Sequence, residues 1–214
     1  MQWGRLGVYG VLLAVLAAPV SAARQELEPA ARHVRRFAEV TGGIYRGGHP
    51  DRAGFEWLRQ SGIRTIISLR TGDHGERDLV EQLGMRYIHI PVSLMADPVP
   101  IPLNPWKRVP RKAVHAFLRA AIDPGNHPVF VHCRLGKDRT GALVAFYRIA
   151  AQGWDARRAY EEARDRGLSW WYRGVRRQLH DFAERRRVGA AILGGGTCRC
   201  SPPNPAVRLH VVPE

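Results

Sequence analysis

The feature that most constrains this chain is the run His132-Cys133-Arg134-Leu135-Gly136-Lys137-Asp138-Arg139-Thr140-Gly141, set between an apolar strand and an apolar helix. Val129-Phe130-Val131 before it is short, β-branched and aromatic, the pattern of a buried strand. Thr140–Gln152 after it is apolar and stopped by Gly153, which predicts a helix. A strand that passes into a helix through so few residues belongs to an α/β sheet. The carboxyl end of such a strand is where these sheets present ligand sites.

The flanking sequence repeats the alternation. Ile44-Tyr45 reads as a strand running into the turn Gly47-Gly48-His49-Pro50, and Gly54–Ser61 as a helix stopped by Gly62. Thr65–Leu69 is a strand, Glu76–Leu83 a helix ended by Gly84, and Tyr87–Ile90 a further strand. Pro91–Pro110 holds six prolines and no periodicity, so it reads as a long loop, of the kind that is commonly functional. Helices are predicted at Arg111–Ala121, Asp155–Arg166, with Asp155 as N-cap, and Tyr172–Arg187; Asp123–Asn126 is turn chemistry. The expected organisation is an N-terminal segment over 1–23, a lead-in of short helix or loop over 24–40, one domain over 41–190, and a loose Gly/Pro-rich tail over 191–214.

The chemistry of the central run follows from its spacing. Five residues between Cys133 and Arg139 suffice for one tight loop around a tetrahedral oxyanion. Successive backbone N–H groups in such a loop converge into an anion nest, and the helix N-terminus adds positive charge. Gly136 permits a positive φ or a close backbone approach. Arg139 offers a planar fork to two phosphate oxygens. The same field stabilises a thiolate at Cys133, the form that acts as nucleophile. The Thr140 hydroxyl is placed to hydrogen-bond the sulfur. His132 either orients the loop through hydrogen bonds or is a structural histidine.

His132–Gly141 resembles the signature of the protein tyrosine and dual-specificity phosphatase superfamily, and is closest to the small atypical dual-specificity type. The resemblance extends over about Ile44–Arg187, through Ile44–Pro50, Gly62–Arg70 and the Asn126–Cys133 approach. It implies a three-layer α-β-α fold with a central, mostly parallel sheet of about five strands. It also implies no metal or other cofactor, and hydrolysis of phosphate monoesters through a phosphocysteine intermediate. The nucleophile falls on Cys133, the phosphate-binding arginine on Arg139 and the assisting hydroxyl on Thr140. Substrate contacts are expected from Arg134, Leu135, Gly136, Lys137, Asp138 and Arg139. The implied substrates are phosphoproteins, phosphoinositides or inositol phosphates, with Lys137 and Asp138 resembling enzymes of highly phosphorylated lipids or inositols.

Expelling an alkoxide or phenoxide needs a proton donor, usually a carboxylic acid on a mobile loop. Asp97 is the single carboxylate between Tyr87 and Arg119 and sits in the proline-rich loop. It is the expected acid, although the Trp-Pro-Asp wording of larger relatives is replaced by Met95-Ala96-Asp97-Pro98. Asp73 is the reserve and Asp138 the next. Arg46 and Arg70, at strand ends, either face the pocket or are solvated. The rivals are sulfur transfer of the rhodanese type, disfavoured by Thr140-Gly141, and a phosphate-binding pseudophosphatase, disfavoured by the intact Cys133 and Arg139.

Net charge is formally +14, from 33 Lys+Arg against 19 Asp+Glu, which suits an anionic partner or reflects an arginine-rich genome. No stacking-aromatic motif accompanies it, so nucleic acid is not an expected partner. Met1–Arg5 is basic, Leu6–Ala18 apolar, and Pro19–Ala23 ends in small residues: the order of a secretory signal peptide. The expectation is export, to the periplasm or outside, as a monomer; an uncleaved segment would leave an N-terminal membrane tether. Three cysteines do not make a disulfide framework, and Cys198 and Cys200 in the tail are assigned no chemistry.

Overall fold

The computed structural model describes residues 32–94 and 105–192. The apolar N-terminal run, Asp97, Cys198 and Cys200 lie outside the described residues. Five strands form one sheet: β1 (Ala38–Thr41), β2 (Ile44–Gly48), β3 (Thr65–Ser68), β4 (Arg86–His89) and β5 (Val129–Cys133), in the order β1-β2-β5-β3-β4. β2, β5, β3 and β4 run parallel, and β1 pairs antiparallel with β2. The helices are α1 (Arg52–Gln60), α2 (Glu76–Gln82), α3 (Arg111–Ile122), α4 (Asp138–Gln152), α5 (Ala156–Asp165) and α6 (Arg173–Ile192).

The sheet is apolar on both faces, as a parallel sheet covered by helices must be. Tyr45, Ile66 and Phe130 point to one face, where Phe55 and Leu58 of α1 and Val80 of α2 cover them. Ile44, Ile67, Val129 and Val131 point to the other, against Phe117 of α3, Leu143 and Phe146 of α4 and Leu179 of α6. This is the three-layer α-β-α architecture expected. α4 is buried from Thr140 through Ile149, because the helices beside it cover it nearly all round.

β1 (Ala38–Thr41) corrects the sequence reading, which left 24–40 as a lead-in of helix or loop. Its four residues carry one buried position, too little alternation to announce a strand. Its pairing comes from the Gly42-Gly43 turn, with Gly43 at φ +85°, which folds it back on β2. α1 begins two residues before the predicted Gly54, because Asp51 caps it and accepts a 2.7 Å hydrogen bond from the Gly54 amide. Among the described residues, no helix is long and apolar enough to cross a membrane.

Candidate active site

β5 lies in the middle of the sheet, so its carboxyl end is flanked by the ends of β2 and β3. Gly48 pairs with Cys133, and Gly47 and Ser68 both pair with His132. Cys133 is 3% exposed and unpaired in any disulfide. The chain then turns through Arg134–Lys137 and enters α4 at Asp138. Gly136 takes φ +70°, and a Cβ there would lie 2.5 Å from both Gly47 C and Gly48 N. The loop therefore rests directly on the backbone of β2, which only glycine allows.

Three successive carbonyls of the loop are held from the β2 side. The His49 amide donates to Arg134 O (3.3 Å), Arg36 Nη1 to Leu135 O (3.2 Å) and Arg46 Nη2 to Gly136 O (2.9 Å). In a planar trans peptide, the N–H of the next residue points opposite to its carbonyl. The amides of Leu135, Gly136 and Lys137 thus point away from β2 together. Among the described residues none of them donates to a backbone acceptor. Beyond them come the first N–H groups of α4, which have no acceptor within the helix. The result is a concave set of donors at a helix N-terminus, a seat for an oxyanion.

Arg139 lies in the first turn of α4, directly after this loop. Its Nη1 donates to Leu69 O at 3.3 Å, using one of its five guanidinium N–H groups. Leu69 is itself fixed by its amide on His132 O at 2.9 Å, so the arginine is braced by the strand it faces. Thr140 is fully buried, and its Oγ1 has no partner among the described residues. The hydroxyl–sulfur bond expected from the sequence is not made here; the donor is available. Arg134 and Leu135 are exposed at the mouth.

Two loop residues have other engagements. Asp138 Oδ1 accepts a 2.7 Å hydrogen bond from the Ser169 amide, tying the segment after α5 to the start of α4. The Lys137 side chain packs over Gly167. The reserve acid Asp73 accepts a 2.9 Å hydrogen bond from the Arg77 amide at the start of α2. Of the two strand-end arginines, Arg46 is buried beneath the loop, and Arg70 donates from Nη1 to Glu76 Oε2 at 3.0 Å.

Glu76 is the residue that sequence reasoning missed. It is 3% exposed, with Oε2 also 3.2 Å from His49 Nε2, and Oε1 2.8 Å from His132 Nε2. The approach to His132 is close but poorly aligned for a hydrogen bond. Burial alone would raise the Glu76 carboxyl; the imidazoles of His132 and His49 beside it outweigh burial and hold it well below the usual carboxylate range. Burial keeps His132 below the ordinary histidine value, against the opposing pull of Glu76. At neutral pH the site therefore holds a carboxylate and a neutral imidazole. His132 also stacks on Phe130, with centroids 5.7 Å apart. His132, the residue before Cys133, thus packs between Phe130 and the Glu76 carboxylate. Only the position of Glu76 in a first helical turn was visible beforehand, and that position is ordinarily a solvated one.

Among the described residues no cluster of three or more His, Cys, Asp or Glu is placed to hold a metal ion.

Comparisons with known proteins agree with this fold. Residues 31–169 match the model of the family described as DSP-PTPase phosphatase fused to NAD+ kinase. Inositol diphosphatase DSP3 of Arabidopsis thaliana is 33% identical over 142 residues, covering 65% of this chain and 66% of that protein, just under two thirds of its length. A probable tyrosine-protein phosphatase of Dictyostelium discoideum, DG1060, is 28% identical over 130 residues, covering 60% of this chain and 74% of its own. The fold is shared with the catalytic domain of the S. cerevisiae PP-IP phosphatase SIW14, at a TM-score of 0.56 and 21% identity over 75% of this chain and 94% of that one. It is shared too with P. aeruginosa TpbA, at a TM-score of 0.52 and 23% identity over 75% and 98%. Fold and loop together define a phosphatase of the protein-tyrosine-phosphatase type. The chain belongs to the DSP-PTPase phosphatase family.

Proposed function

We propose that the protein hydrolyses phosphate monoesters in two steps through a phosphocysteine at Cys133. The observation that carries this reading is the set of three loop amides turned away from β2 by the bonds to Arg134 O, Leu135 O and Gly136 O, beside a braced Arg139. Such donors are worth most where charge develops on the equatorial oxygens of a transferring phosphoryl group. The Cys133 thiolate attacks phosphorus, and the bond from phosphorus to the leaving oxygen breaks. Asp97 gives its proton to that oxygen. In the second step water attacks the phosphocysteine, the Asp97 carboxylate takes its proton, and the thiolate leaves with a hydrogen bond from Thr140 Oγ1. The substrate class is phosphoprotein, as for a tyrosine or dual-specificity phosphatase.

A second substrate reading, inositol phosphates or phosphoinositides, is favoured by the exposed cation Arg134 in the loop and by the likeness to a relative named inositol diphosphatase. The basic-apolar-small order of Met1–Ala23 supports export by a signal peptide, or an N-terminal tether where it is retained. The test of the reaction is turnover of a small aryl phosphate by the wild-type protein and by Cys133→Ser. Turnover lost with phosphate-analogue binding retained supports the mechanism. Turnover retained in the variant rejects it.

A further inference from the structure

A cavity of about 440 Å³ lies on the opposite side of the loop wall, lined by Arg36, Arg46, Lys137 and Arg166 with one carboxylate, Asp165. Neither Cys133 nor Arg139 is in its lining, so it is distinct from the phosphate seat described above. Four cations facing one space repel each other, and an anion among them relieves that repulsion. Glu162, 3.4 Å from Arg166 Nε, offsets part of this charge but is shared with Arg148, which holds its two oxygens at 2.7 and 3.0 Å, so the cations still outnumber the carboxylates around the cavity.

Arg46 is the decisive member. It is 1% exposed, and Nη2 is used on Gly136 O, but Nη1 has no acceptor among the described residues. A buried charged donor without an acceptor is costly, and natural structures rarely leave one so. Burial first, and the charge of Arg166 second, lower Arg46 to about 10, so it remains cationic at neutral pH. Phosphate chemistry matches this lining: guanidinium forks for paired oxygens and an ammonium as a point charge.

We propose that this cavity is a second anion site, which takes a compact phosphate-class dianion among Arg36, Arg46, Lys137 and Arg166. It shares a wall with the first seat. Arg36 and Arg46 hold the carbonyls of Leu135 and Gly136, and so aim the loop amides at the far side. An anion in the cavity competes for those two guanidinium groups and lowers the positive field at Cys133. The two seats therefore oppose each other, and by linkage each weakens the other equally. The site does not depend on Cys133 being a nucleophile, so a silent enzyme would leave it testable.

The experiment is titration calorimetry of the full chain with inorganic phosphate at constant ionic strength, for wild type and Arg166→Glu. Two phosphates bound by wild type and one by Arg166→Glu is the expected result. Phosphate inhibition should then be steeper than simple competition in wild type and simply competitive in the variant. A raised KM for a bisphosphate alone in Arg166→Glu would trace the anion to the substrate's own second phosphate; unchanged KM values would trace it to free phosphate. A single phosphate on wild type, or two on the variant, overturns the proposal. Should Arg166→Glu fail to fold, crystals of the unmodified protein soaked in phosphate decide: density against Arg46 supports the site, and an empty cavity rejects it.

Discussion

Replacing Gly136 by alanine tests whether the loop works because it rests on the backbone of β2. Two costs can be separated. An L-residue at φ +70° costs about 1 kcal/mol. The new Cβ would also sit 2.5 Å from Gly47 C and Gly48 N, both backbone atoms of a central strand, so neither can swing aside as a side chain would. Overpacking of that kind costs roughly 1–3 kcal/mol, which brings the sum to about 3 kcal/mol. For a chain of this size that is a fall in Tm of roughly 6–12 °C. The relief available is to lift the loop by about 1 Å, which breaks the Arg46–Gly136 bond and turns the amides off target. A misplacement of that size costs about 100-fold in rate. Gly153→Ala is the control: it has the same φ of +70°, but nothing lies within 4 Å of its new Cβ. It should cost about 1 kcal/mol and leave kcat alone. Thermal melts followed by circular dichroism and aryl phosphate kinetics on both variants give the answer. Gly136→Ala with wild-type kcat/KM would refute the argument that β2 shapes the loop.

Glu76→Gln removes the charge that three cationic or imidazole partners surround, and should destabilise by about 3 kcal/mol in denaturant titrations. Both buried titratable groups of that cluster are held below their ordinary values, so the unfolded chain binds more protons and stability falls with acid. His132 contributes stability that is full above about 6.5 and erodes below it; Glu76 does the same below about 4.5. Melting temperature should therefore drop as pH falls from 6.5, and Glu76→Gln should flatten the branch below 4.5; a pH-independent wild-type Tm counts against the cluster. Arg139→Lys exchanges a fork for a point charge and should lower kcat by about 100-fold or more in steady-state assays. Asp97→Asn should slow esters with poor leaving groups far more than activated aryl esters, and an equal effect on both would remove Asp97 from the acid role.

The Cys133–Arg139 loop was legible because the residues that suggest its chemistry are nearly consecutive. Cys133, Gly136, Arg139 and Thr140 need only one turn of chain to meet, and a strand before and a helix after are read from local pattern. The same alternation announced an α/β sheet with helices on its faces; that the sheet is mostly parallel came from the family resemblance. What supports the loop was not legible, because it comes from residues far away in sequence. Arg46 reaches Gly136 across 90 residues, and Arg36 reaches Leu135 across 99. Glu76 looked like any acid at a helix start until the fold brought His49, Arg70 and His132 to it. The bond from the Ser169 amide to Asp138 Oδ1, across 31 residues, was equally out of reach of the local pattern. β1 escaped notice because a four-residue edge strand takes its structure from its partner rather than from its own periodicity.

Rapid-quench labelling is the most direct probe of the central idea. The protein is mixed with a radiolabelled phosphate monoester, stopped in acid within one turnover, digested, and the labelled peptide sequenced by mass spectrometry. Phosphate is expected on the sulfur of Cys133, appearing before free phosphate and chasing into it. No labelled peptide under conditions of full turnover, or label on any other residue, would contradict it.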